Sequence, residues 1–243
     1  MIARYETEHY VFHYLEGSLA ARDIEEIAAT QERCYRKICG MLKTDYPRKI
    51  SYWLYDSPDV VGGYFWDGEP CNGLAFDTDD SESIGKTVSL SGKEEDRFTV
   101  EPYSIHAVYE ERIKCTGEHE DTHVIAAHIC PEPKSMFLIE GLAMHMDGKW
   151  WGRDNRIWAQ EYLKSGELLD TAKLIGMDED GFYDLECAKT YPVGGAYTEF
   201  IADRYGMEKF MKLYCSEDPA GDAAEIFGRM LPELHEEFKE WLS

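Results

Sequence analysis

Basic side chains are scarce in this chain: 25 Lys and Arg stand against 48 Asp and Glu, a formal net charge of −23. Such an exterior repels phosphate backbones and anionic lipid surfaces, so neither nucleic acid nor a membrane is expected as a partner. Long apolar runs are missing too. No stretch reaches the roughly 18 residues of a membrane span, and the N-terminal segment from Met1 to His9 carries charges where a secretory signal has its apolar core. A cytoplasmic location is expected. The seven cysteines, at 34, 39, 71, 115, 130, 187 and 215, are odd in number and contain no CxxC pair, which predicts reduced and mostly buried thiols. Repeats, low-complexity tracts and Pro/Ser-rich linkers are absent. The chain is therefore expected to form one functional domain built of two subdomains, 1–131 and 132–243, with a cleft near 131.

What is present suits a sizeable core: 44% of the 243 residues are hydrophobic, with 16 Tyr, 10 Phe and 6 Trp. Residues 6–15 mix β-branched and aromatic side chains and predict one strand. Asp23 and Glu26 fit a capping box, and Ile24, Ile27, Ala28, Tyr35, Ile38, Met41 and Leu42 keep a helical period up to Lys43. Ile50–Tyr55 carries large side chains on both faces and predicts a central strand. Short strands are expected near 73–77, 86–90, 97–101 and 104–109. From about residue 110 the pattern turns helical, with helices over 112–130, 135–147, 154–165, 192–205, 207–215 and 221–241. The fold class is α+β, a mixed sheet followed by helices.

One stretch predicts chemistry. His119-Glu120-Asp121-Thr122-His123 is an HExxH run. At about 100° per residue, positions four apart share a helix face, so two imidazole nitrogens can meet one metal ion with Glu120 beside it. Catalytic zinc usually has three protein ligands, and Glu140, in the apolar segment Phe137-Leu-Ile-Glu-Gly-Leu-Ala143, is the candidate third. An ionised carboxylate among apolar side chains is costly to bury without a cation. Helical phase disposes of two rivals: His128 lies about 140° from His123, and His145 is off-face from Glu140 by a similar angle. Asp147 returns to the Glu140 face and could support a ligand. His9, His13, His106 and His235 have no spacing that recommends them.

These residues resemble the gluzincins, the HExxH-plus-glutamate branch of the zinc metallopeptidases, and within them the peptidase MA-like group. Beyond the HExxH run, Ile139-Glu140-Gly141-Leu142-Ala143 is similar to that group's EGxA segment, which carries the third ligand. The stretch from Tyr191 to Gly206 resembles a helix placed after the ligands, and the tail from Ile226 to Phe238 is also similar. The resemblance implies a zincin-like, thermolysin-like fold, with a twisted sheet over the HExxH helix and a mainly helical C-terminal lobe. It implies Zn2+ held by His119, His123 and Glu140, with Glu120 as general base in peptide-bond hydrolysis. Tyr191, with Tyr197 in reserve, is the expected oxyanion donor. An edge strand before the HExxH helix typically binds the substrate backbone, and Ser104–Tyr109 is the candidate, a central strand being the alternative. Tyr64-Phe65-Trp66 and Trp150-Trp151 line subsites or fill core. Two departures stand out: Met144 sits where thermolysin has an acid one turn after the glutamate ligand, and no GxMEN-type segment grips a free amino terminus, which disfavours that kind of exopeptidase.

The expected function is zinc metalloendopeptidase-like hydrolysis of a peptide or protein substrate. Two alternatives stand: a zincin-fold protein that binds metal or peptide without turnover, and a scaffold in which the histidine pair is accidental. Glu120 favours catalysis, because a purely structural site closes its fourth position with another ligand and has no use for a base.

Overall fold

A computed structural model describes residues 1–77 and 81–243 of the chain. They form a mixed α/β structure in two compact units, Met1–Pro131 and Glu132–Ser243. Among the described residues, no helix is long and apolar enough to cross a membrane.

The first unit runs β1 (Ile2–Glu6), β2 (Tyr10–Leu15), α1 (Leu19–Leu42), β3 (Ile50–Tyr55), α2 (Pro58–Phe65), β4 (Gly73–Phe76), β5 (Thr87–Ser89), β6 (Arg97–Thr99), β7 (Ser104–Val108) and α3 (Glu118–Ile129). One sheet has the order β1-β2-β3-β7-β4. Its three inner strands are parallel to one another, and β1 and β4 run antiparallel at the two edges. The period of two in a strand sends alternate rows to opposite faces. Tyr5, Phe12, Tyr52, Ile105 and Ala75 form one row in register, and Arg4, His13, Trp53, His106 and Leu74 form the next. The first face packs its aromatic rings towards α1, with Tyr10, Phe12, Tyr35 and Tyr52 in mutual contact. On the second, Trp53 is sandwiched between His13 at 3.9 Å and Phe98 at 3.6 Å. A sheet covered on both faces is why Ile50–Tyr55 carries large side chains on both of its faces.

Several boundaries differ from expectation, each for a local reason. Residues 6–15 are the end of β1, a turn and β2, because Thr7 and Tyr10 close the turn by hydrogen bonds from Thr7 N to Tyr10 O at 3.0 Å and from Tyr10 N to Thr7 Oγ1 at 3.3 Å. Helix α1 starts earlier, since Ser18 is its cap and accepts from Ala21 N at 3.1 Å. Asp23 instead accepts from the Tyr109 hydroxyl and pairs with Arg22. Helix α3 begins at Glu118 rather than near 112, because Gly117 takes φ 148° and Tyr109 bridges to Lys114 ahead of it.

The second unit contains α4 (Met136–Asp147), β8 (Lys149–Trp150), β9 (Arg153–Asp154), α5 (Asn155–Ser165), α6 (Thr171–Ile175), α7 (Glu179–Tyr183), α8 (Cys187–Tyr205), α9 (Met207–Tyr214), α10 (Pro219–Phe227) and α11 (Leu231–Leu242). The helix expected over 221–241 is two, broken where Gly228 turns left-handed at φ 69°. Helices α2, α6 and α7 escape a periodicity argument because they are so short; Ser57, Asp170 and Asp178 cap them. At the heart of this unit α4 and α8 meet at backbone distance. A Cβ on Gly141 would lie 2.9 Å from Gly194 O, and one on Gly194 would lie 3.0 Å from Gly141 Cα. Around that contact Phe137, Tyr197, Phe200 and Phe238 form a buried aromatic cluster.

The described cysteines form no disulfide, but only Cys34, Cys39 and Cys130 are buried; Cys71 and Cys115 are half-buried and Cys187 and Cys215 exposed. The expectation of mostly buried cysteines is corrected accordingly: Cys187 opens α8 and Cys215 follows the last turn of α9, both at helix ends facing water.

Two stability predictions follow from this packing. Gly141→Ala drives a methyl into backbone atoms that cannot rotate away, and should lower unfolding stability by about 1–3 kcal/mol in urea titration. Burial lowers His13 from 6.5 to about 4, and it lowers His106, held between the Tyr55 hydroxyl and Ser104, to about 3. Both rings stay neutral in the fold while the unfolded chain takes up protons below about pH 6.5. Stability should therefore be full above that pH and fall as pH drops towards 4 and then 3; His106→Gln should flatten the lower part of the curve in urea titrations at stepped pH.

Candidate metal centre

Helix α3 opens with Glu118, Glu120 and Asp121 in its first turn, where carboxylates complement the positive end of the helix, and stops before Pro131. Its roll about its own axis is set by a buried polar knot. Asp121 is fully buried and accepts from the Tyr10 hydroxyl of β2 and from Gln31 Nε2 of α1 at 3.0 Å; the same amide nitrogen reaches Gly117 O at 3.0 Å. Burial pushes the Asp121 carboxyl well above the usual carboxylate range and the Tyr10 phenol up as well. Thr122 folds back on Glu118 O at 2.7 Å. With Asp121, Thr122, Val124 and Ile125 buried, the helix turns His119, Glu120 and His123 to its half-buried side. The two imidazoles stand 5.0 Å apart between ring centroids, at 79° to each other.

Glu120 borders the sheet. An added Cβ on Gly73, the first residue of β4, would lie 2.9 Å from Glu120 Oε1. The strand beside the HExxH helix at the sheet edge is therefore β4, and the assignment of Ser104–Tyr109 to that role is corrected. Strand β7 lies inside the sheet between β3 and β4 with all five side chains buried, the central-strand alternative. Its His106 reaches no solvent.

In the second unit, Glu140 lies on α4 with only 6% of its surface exposed, flanked by buried Phe137, Leu138, Leu142 and Ala143. Tyr191 lies in α8, half-buried, its ring 5.3 Å from that of Trp150. Tyr197, the reserve oxyanion donor, is corrected: its ring packs among Phe137, Phe200 and Phe238 and its hydroxyl is buried away from solvent. Met144 is buried, and its carbonyl accepts from Asn155 Nδ2 at 2.7 Å. Of the aromatic pairs, Phe65 packs into the core against Phe76 and His106, while Trp66 and Trp151 are exposed. His128 lies on the exposed side of α3 against the edge of Tyr46, off the face of His119 and His123.

Among the described residues of the first unit, Glu8, His9 and Glu32 form a group that can hold a metal ion, with three ligand atoms within 4.8 Å of one another. It is an ion-pair cluster, in which His9 Nδ1 bonds Glu32 Oε2 at 2.7 Å and Arg36 approaches the same oxygen at 3.4 Å. On α3, the paired imidazoles of His119 and His123 are donors of the kind that suit zinc. Gly73 is the neighbour of this site that sequence reasoning missed. Its signal was a glycine at the first position of a predicted strand, a residue that can mark close approach of another group.

No protein-family model and no curated protein matches the chain.

The polar knot behind α3 is testable. Tyr10→Phe removes a donor from a buried carboxyl and should cost about 1–3 kcal/mol of stability, read by urea unfolding.

Proposed function

We propose that this protein is a zinc-dependent metallopeptidase of the gluzincin type, with a zincin-like fold, acting on peptides or proteins in the cytoplasm. The observation that carries the reading is the pair His119 and His123 on the half-buried side of α3, 5.0 Å apart between ring centroids, with Glu120 beside them. With Glu140 as the proposed third ligand, two imidazoles and one carboxylate would leave a four-coordinate zinc one position for substrate or water. Support for the fold comes from a mixed sheet with an antiparallel edge strand bordering Glu120.

Zinc, when bound, acidifies water and polarises a carbonyl group. Glu120 is the general base: its carboxylate accepts the proton of the attacking water and delivers it to the departing amine nitrogen. Its place next to His119 puts it beside the ligands rather than among them. Tyr191 is the proposed donor to the developing oxyanion, a role open to a half-buried phenol on a rigid helix. The acidic exterior, at −23, disfavours polyanions as substrates.

Metal analysis together with hydrolysis of a quenched peptide library tests this reading. The native protein should carry about one zinc per chain and cleave peptides, and Glu120→Gln should keep the metal while losing at least about a hundredfold in turnover. His119→Ala and Glu140→Ala should each empty the site. Zinc occupancy unchanged in either of these would sink the ligand set, and a native protein that binds zinc but is as inert as Glu120→Gln would be a binding protein.

A further inference from the structure

We propose that Gly73 is a positioning residue for Glu120: the side chain that β4 lacks at this point is the space in which the Glu120 carboxylate stands. The inference rests on the reading of Glu120 as the base and names what fixes its position. A Cβ on Gly73 would lie 2.9 Å from Glu120 Oε1, 3.5 Å from Cδ and 3.6 Å from Cγ, so a carboxylate oxygen is the atom it would meet first.

Backbone conformation gives no other reason for glycine here. Gly73 is absent from the positive-φ glycines, and it sits in regular antiparallel pairing with Ala107 of β7. Glycine weakens a strand through the entropy of the unfolded chain and the loss of cross-strand packing. Its neighbours hold the strand still: Val108 N donates to Asn72 O at 2.8 Å, and Cys71 Sγ donates to Gly73 O at 3.4 Å. On the other side, the buried Asp121 fixes the roll of α3. With both backbones fixed, an added methyl moves the flexible carboxylate. Misplacing a catalytic group by about 1 Å costs on the order of a hundredfold in rate.

The test compares native protein, Gly73→Ala, Glu120→Gln and, as a control, Gly63→Ala, where an added Cβ meets nothing within 4 Å. Crystal structures, urea unfolding, zinc content and steady-state kinetics on the cleaved peptide are measured for each. Gly73→Ala should unfold at the native urea concentration and keep its zinc. Its Glu120 carboxylate should be displaced while β4 and α3 remain in place. Its kcat should fall at least tenfold with KM within about twofold of native, whereas Gly63→Ala keeps both. The assignment is overturned if the Gly73→Ala carboxylate is found in its native position, if kcat is unchanged while Glu120→Gln is inert, or if Gly73→Ala unfolds at a markedly lower urea concentration than native, since then the backbone and not the carboxylate gives way. If Glu120→Gln turns over like the native protein, the base reading fails, and the carboxylate position in the Gly73→Ala crystal decides the packing claim by itself.

Discussion

The roll of α3 is the constraint on which the candidate site depends, and one buried carboxyl group sets it. Asp121 lies in the middle of the HExxH run, between the two histidines in sequence but facing the opposite way. Its contacts with Tyr10 on β2 and Gln31 on α1 tie the helix to the sheet and to its neighbouring helix. A buried polar group has few acceptable orientations, because each unmade hydrogen bond costs about 1–3 kcal/mol. A purely apolar inner face would tolerate some rotation. This one fixes which side chains point outwards: His119, Glu120 and His123.

That constraint also explains how much of the site could be read in advance. Helical phase alone gave the relation of His119 to His123 and removed His128, because a 3.6-residue period holds wherever the helix is regular. The sheet was legible where burial is two-sided, as in Ile50–Tyr55, and its strands near 73–77 and 104–109 were found close to their places. Their order was not. Whether a strand is central or at an edge depends on which neighbour joins it, and β4 attaches outside β7 by pairing that no local pattern encodes. Helix starts failed for a related reason. Ser18 and Asp23 are both competent caps, and tertiary partners for Asp23, the Tyr109 hydroxyl and Arg22, decide between them.

Two glycines beside the candidate carboxylates Glu120 and Glu140 do the same physical work, although their surroundings differ. Neither Gly73 nor Gly141 adopts positive φ, so conformational freedom does not account for either. Gly73 leaves room for the end of a side chain, and its replacement displaces a flexible group. Gly141 follows Glu140 in sequence and leaves room for the backbone of α8. Contact through backbone atoms has no soft side-chain layer, and close-packed interiors yield little. The helix that presents Glu140 is thereby held as rigidly as its packing allows, while Asn155 ties the Met144 carbonyl one turn further on. For a ligand or a base, a fixed position matters more than a strong individual contact, since reactivity falls steeply with misplacement. Gly141 and Gly73 therefore position their neighbours by what they leave out, and Asp121 positions α3 by what it holds in place.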